Sequence, residues 1–106
     1  WDVNHPDTNG MIEYFIRPMD GIRSRITRGD VEEFRRLEGM GFRAAPAGVV
    51  ESAIGEGALS LGEDYRRARA CTAHPMKFTL TGPHMLCKTL MDHHYKNLPD
   101  LAMGLA

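Results

Sequence analysis

The sequence has few cysteines, no excess of charge of either sign and no long apolar run, and each of these absences excludes a class of protein. Two cysteines in 106 residues are too few for the disulfide framework of a small secreted domain. Thirteen Lys and Arg against fourteen Asp and Glu leave a formal net charge of -1, so no global field attracts nucleic acid or anionic lipid. No apolar run approaches the roughly 20 residues that span a bilayer. We therefore expect a soluble, cytoplasmic protein with reduced cysteines, and neither nucleic acid nor a membrane as partner.

Familiar catalytic motifs are also missing. The sequence contains no Walker loop, dinucleotide fingerprint, nucleophile elbow or HExxH pair. Its composition, 42% hydrophobic and 25% charged, is that of an ordinary soluble globular domain, and its length fits one core. Motifs alone therefore leave the function open.

Hydrophobic periodicity predicts an α/β chain with about three strands and four helices, plus a short helix before Pro18. After a loop at 1–9, the predicted strands cover residues 22–27, part of 42–54 and 76–81; the predicted helices cover residues 31–40, 60–72, 84–95 and a last stretch from Pro99 or Asp100. Alternation of strands and helices favours parallel strands. The middle strand, interrupted by Pro46 and Gly48, could instead pair with residues 22–27 as an antiparallel hairpin.

Thr81, Gly82 and Pro83 join the end of a predicted strand directly to the start of a predicted helix. Pro83 pre-sets the first helical turn, and Gly82 lets another group approach the backbone closely. In an α/β barrel such a junction lies at the carboxyl end of a strand, where active sites are found, and a helix N-terminus favours anions such as a substrate carboxylate. A tight turn without a ligand is the alternative interpretation.

Other candidate residues have plainer interpretations. His84 and Cys87 are three apart and could share a soft metal ion, but two ligands do not make a zinc site, so we interpret Cys87 as a small buried residue and His84 as a polar group at a helix start. His93 and His94 suit the end of a helix. Glu51 could act as a general base, although an exposed strand position is the simpler interpretation.

One phrase carries a resemblance to a known family. Residues 77–83 (KFTLTGP), which follow His74-Pro75 and precede a helix starting His84-Met85-Leu86, resemble the strand and Gly-Pro turn of cobalamin-independent methionine synthases. The resemblance extends from about Gly10 to Ala106, although only the Leu-Thr-Gly-Pro turn is distinctive. It implies a partial (β/α)8 TIM barrel, with residues 1–106 as a single partial domain from the N-terminal half; the start at Trp1 and the end within a predicted helix agree with such a piece.

The resemblance also implies a function. Members transfer a methyl group from methyltetrahydrofolate to the thiol of homocysteine, and zinc lowers the pKa of that thiol. Thr81, Gly82, Pro83 and His84 would then bind substrate, whereas no catalytic residue is assigned. The expected zinc ligands belong to later strands, outside this chain, and the family's Asp-Gly-Glu turn would precede Trp1.

Two alternative functions stay open. The chain could belong to a thiol alkyltransferase similar to epoxyalkane:coenzyme M transferases, or it could be a binding or assembly module without catalysis. In the barrel interpretation its partners are the thiol substrate, the methyl donor and the remainder of the barrel. Three strands cannot close an eight-stranded barrel, so we expect the isolated chain to self-associate or to be disordered.

Overall fold

The computed structural model describes residues 11–39 and 43–106, which form five helices and three strands. The helices are α1 (Glu13–Ile16), α2 (Arg28–Arg35), α3 (Leu61–Ala70), α4 (Pro83–Cys87) and α5 (Leu98–Leu105), and the strands are β1 (Asp20–Arg23), β2 (Gly48–Gly55) and β3 (Leu90–Asp92). The mixed α/β class is confirmed. The predicted loop at 1–9, the helix end at Met40 and the strand start at Phe42 lie outside the described residues. No helix of the described ranges is long and apolar enough to cross a membrane.

The three strands form one sheet in the order β1-β2-β3. β1 is antiparallel to β2, with Ile22 opposite Val50, and β3 is parallel to β2, with Val50 opposite Asp92. The antiparallel alternative is thus confirmed for the first pair, although α2 lies between the two strands and no tight hairpin joins them. Strands of both directions make this a small mixed sheet.

The third strand lies elsewhere than predicted. Residues 76–81 carry no strand, and β3 occupies residues that the sequence assigns to a helix over 84–95. The helix after Pro83 ends at Cys87, and the Thr89 hydroxyl donates to the Leu86 carbonyl oxygen at 2.7 Å. Leu90 and Met91 are then buried on opposite faces of the sheet, 1% and 2% exposed. Burial on both faces outweighs the helical periodicity of the segment.

Helix starts differ from the sequence predictions by a few residues. The capping box of α2 pairs Thr27 with Asp30, so the helix starts at Arg28, three residues before the predicted start at residue 31. The preceding strand ends at Arg23 and not at residue 27. Ser60 is the N-cap of α3, as its position suggests, but its side chain makes no capping hydrogen bond. Asn97 caps α5 by accepting from the Asp100 N–H at 2.9 Å.

The core has two parts, one on each face of the sheet. Val50 belongs to the larger cluster, to which α1, α4 and α5 contribute Ile16, Leu86 and Leu101. Val49, the next residue along β2, points to the other face and packs with Phe34 and Met91. The larger cluster therefore fixes three helices beside one face of the sheet, and the candidate site lies among them.

Candidate functional site

An open groove of about 840 Å³ lies beside the larger core cluster. Its volume is within the roughly 300–1,000 Å³ of small-molecule sites. The walls come from α1, the end of β2, the start of α3, the segment before α4 and the end of α5, and they are mainly apolar: Phe15, Ile54, Leu61, Leu80, Leu86 and Leu105. The groove thus joins residues that are up to ninety positions apart in the sequence, and no local pattern indicated its far wall.

Three of the four predicted substrate-binding residues line this groove. Thr81, Gly82 and Pro83 form one side of it, whereas His84 is exposed and is not among the lining residues. The Thr81 hydroxyl donates a hydrogen bond to the Met11 carbonyl oxygen, which ties this wall to the start of α1. The structure therefore places residues 81–83 together at a concave surface and His84 outside it.

Gly82 leaves free space that the described part of the chain does not fill. A Cβ atom built on it meets no described heavy atom within 4 Å. Its φ of -64° and ψ of 151° suit any residue, so the backbone does not require glycine. Gly82 is the N-cap of α4, but Ser or Asp would supply a capping oxygen that glycine lacks. Gly82 is exposed, and glycine is one of the residues favoured at an N-cap, so the position tolerates glycine and leaves room for close approach of another molecule.

The N-terminus of α4 is a weak anion site, contrary to the expectation for this junction. The helix has five residues, Pro83 has no N–H, and the Leu86 N–H bonds the Gly82 carbonyl oxygen at 3.2 Å. Only the N–H groups of His84 and Met85 stay available in the first turn. A carboxylate would find two donors and a small dipole there.

A hydrogen bond between distant residues holds the α3 side of the groove. The Tyr14 hydroxyl donates to Asp64 Oδ2, which joins α1 to the first turn of α3. Burial, followed by this hydrogen bond and the Asp64 charge, raises the pKa of Tyr14 to about 12. Phe15, the next residue, lines the groove, as do Ser60, Leu61 and Gly62 at the start of α3. This hydrogen bond thus positions the α1 and α3 walls of the groove. Its partners are fifty positions apart, which explains why the sequence did not indicate the bond.

Cys87 and His84 have different surroundings. Cys87 is 1% exposed within the larger core cluster, which confirms its interpretation as a small buried residue, and burial raises the pKa of its thiol. His84 is exposed. Within residues 11–39 and 43–106, no three His, Cys, Asp or Glu side chains lie together as metal ligands. This part of the chain therefore does not fit a zinc ion, and we derive no step through zinc from it.

Two further sequence candidates contact charged side chains away from the groove. Glu51 is exposed on β2, which confirms its interpretation as an exposed strand residue. Its Oε1 accepts a hydrogen bond from Arg23 Nε at 2.7 Å. His93 follows β3 and not a helix, so the prediction of helix-end histidines is wrong; its Nε2 lies 3.0 Å from Glu33 Oε1 on α2. Neither residue faces the groove.

The chain has no match among the proteins compared with it. No protein-family model, no curated protein and no solved structure matches it.

Proposed function

We propose that this chain is a segment of a methionine synthase-like methyltransferase and that the groove beside residues 81–83 binds one of its substrates. The free space at Gly82, on the wall of an apolar groove, is the observation that supports this function most directly. A substrate pocket lined by Thr81, Gly82 and Pro83 is also what the resemblance of residues 77–83 implies. The sequence and the geometry thus favour the same three residues.

The chemistry of the groove favours the methyl donor over the thiol amino acid. Most lining side chains are apolar, and the charged side chain among them is that of Glu56. Among the lining side chains, an amino-acid carboxylate would find the Ser60 hydroxyl as a donor and no Lys, Arg or His. The planar pyrimidine and aminobenzoyl rings of methyltetrahydrofolate, by contrast, gain from apolar walls and can lie against the backbone at Gly82.

In this proposal the zinc ion and its ligands belong to the remainder of the barrel. When bound there, zinc supplies a thiolate at neutral pH. The residues described above bind and orient the donor: Leu61, Leu86 and Leu105 exclude water from its ring, and Gly82 permits contact with the backbone.

A second candidate function is a binding module without catalysis. Leu80 and Met85, on either side of the Gly-Pro turn, are 58% and 49% exposed. Exposed apolar groups at the mouth of an apolar groove are typical of an interaction surface. Binding of a ligand without methyl transfer by the complete protein would favour this candidate.

Calorimetric titration of the chain with methyltetrahydrofolate, and separately with homocysteine, tests the proposal. We expect the folate to bind and Gly82→Leu to weaken it by at least about tenfold, which is 1.4 kcal/mol. Gly29→Leu is the matched control, because Gly29 has only the Thr27 hydroxyl near its Cβ position, at 3.8 Å, and lies outside the groove. Absence of folate binding, or equal loss in both variants, would contradict the proposal.

A further inference from the structure

Residues 76–81 have the side-chain pattern of a strand but pair with no strand among residues 11–39 and 43–106. Among the hydrogen bonds between described residues, none involves a backbone N–H or C=O of residues 75–80. Met76 and Phe78 are half-buried and Lys77 and Thr79 are exposed, so burial alternates over residues 76–79, and the apolar side chain of Leu80 is 58% exposed. Unpaired backbone with this alternation is a template for another strand.

The segment lies against the body of the protein through Phe78 and through its last two residues. The rings of Phe78 and Tyr65 pack edge to face with centroids 6.4 Å apart, and Leu80 and Thr81 line the groove. Flanking prolines, Pro75 and Pro83, limit any pairing to the residues between them, because proline cannot donate to a ladder. The unpaired length is therefore short and defined.

A second copy of the same segment complements it. In an antiparallel pair centred on Phe78, Phe78 faces its own copy, Met76 faces Leu80, and Lys77 faces Thr79. The apolar residues of both copies then share one face of the new sheet and the polar residues share the other. A shift by one residue would place Lys77 of one copy opposite Phe78 of the other and mix the two faces.

The prolines also determine which backbone groups bond in this register. If the Phe78 pair is hydrogen-bonded, the pairs Met76–Leu80 are hydrogen-bonded too, which gives about six N–H···O bonds across the two-fold axis. Pro75 then lies opposite Thr81 in a non-hydrogen-bonded pair, where no N–H is needed. In this register every N–H that must donate across the pair is present, and the N–H that Pro75 lacks is not needed.

From this self-complementarity we infer that two copies of the chain associate through antiparallel pairing of residues 76–81 about a two-fold axis at Phe78. Such an isologous interface closes on itself and yields a dimer. The inference rests on the unpaired backbone and not on a ligand of the groove, so dimerisation and folate binding are tested by separate measurements.

Sedimentation equilibrium of two proline variants tests the pairing. The N–H of residue 80 points toward the partner in this register and that of residue 79 points away. We expect the natural chain to pass from monomer to dimer over about a hundredfold range of concentration, Leu80→Pro to weaken the dimer by at least about tenfold, and Thr79→Pro to change it by less than about threefold. A natural chain that is monomeric throughout, or equal effects of the two prolines, would overturn the inference.

A charge pair tests the register itself and does not depend on proline. Thr79 of one copy lies opposite Lys77 of the other in a non-hydrogen-bonded pair, with Cα atoms about 4.5 Å apart. By symmetry Thr79→Glu creates two opposite-charge pairs and Thr79→Lys two like-charge pairs, so we expect Kd to fall roughly fivefold in the first and to rise in the second at low salt. Equal or reversed effects would exclude this register. Circular dichroism melts recorded below the dimer Kd serve as the folding control for all four variants, and we expect them to match the natural chain because the segment makes no backbone hydrogen bonds within it.

Discussion

Gly104 lies against Tyr95, so closely that a Cβ atom on Gly104 would be 2.6 Å from the Tyr95 hydroxyl oxygen. That hydroxyl also accepts a hydrogen bond from the backbone N–H of Ile54 at 2.9 Å. The contact therefore joins α5 to the residues after β3 and to β2. Gly104 and Ile54 both line the groove, so the same contact positions two of its walls.

Gly104→Ala should destabilise the protein, because the added methyl must displace the Tyr95 ring and its hydrogen bond. We expect a loss of about 1–3 kcal/mol, the usual cost of overpacking. Gly62→Ala is the control, and we expect it to stabilise the protein. Gly62 lies in α3, a Cβ atom on it would be 3.9 Å from the Arg66 guanidinium, and alanine has a higher helix propensity than glycine. Urea unfolding of both variants measures the difference, and equal shifts of the midpoint would contradict the packing described here.

The Tyr14 hydroxyl predicts a loss of stability at high pH. Its folded pKa is raised from 10.0 to about 12, so folding favours the neutral form that donates to Asp64. This contribution is complete below pH 10, the unfolded pKa, and is lost as the pH rises through 12. We expect the free energy of unfolding to fall between those values in the natural chain and to fall less in Tyr14→Phe. If the free energy of unfolding depended on pH in the same way in both proteins, the hydrogen bond from Tyr14 to Asp64 would not form in solution.

Asp30 predicts the opposite behaviour in acid. The Arg23 guanidinium, followed by the Thr27 backbone N–H, hydrogen bonds this carboxylate and holds its pKa well below the usual value of 3.8. A lowered folded pKa stabilises the protein above pH 3.8, and that contribution is lost as the pH falls further. Chemical unfolding at pH 7 and at successively lower pH should show a steeper loss in the natural chain than in Asp30→Asn. A variant with the same acid dependence would exclude Asp30 as its source.

Short-range chemistry in the sequence predicted much of the helical structure. The Thr27 to Asp30 segment, Ser60 and Asn97 begin helices within three residues of the expected positions. At Thr27 and Asn97 the side chain caps the helix, and capping depends on residues within one turn. Pro83 likewise begins α4. The predicted length of α4 was wrong, because Leu90 and Met91 form a strand and not the continuation of the helix. Their burial on the two faces of the sheet depends on partners far along the chain.

The candidate site was predictable only on one side. Residues 81–83 were recognisable because a Gly-Pro turn has local chemistry, and they do line the groove. The opposite walls at Phe15, Ile54 and Leu105 are brought there by the sheet and by α5, whose packing no periodicity specifies. His84 shares the motif of residues 81–83 but lies outside the groove, so adjacency in sequence was a poor guide to adjacency at the site.

The most direct test of the groove as a substrate site is an NMR titration that follows backbone amides as methyltetrahydrofolate is added. We predict the largest chemical-shift changes at Thr81 and Gly82 and across the groove at Gly55 and Leu105, with Gly29 unchanged. No change at any of the four groove residues, or changes confined to the Phe34 side of the sheet, would contradict the account.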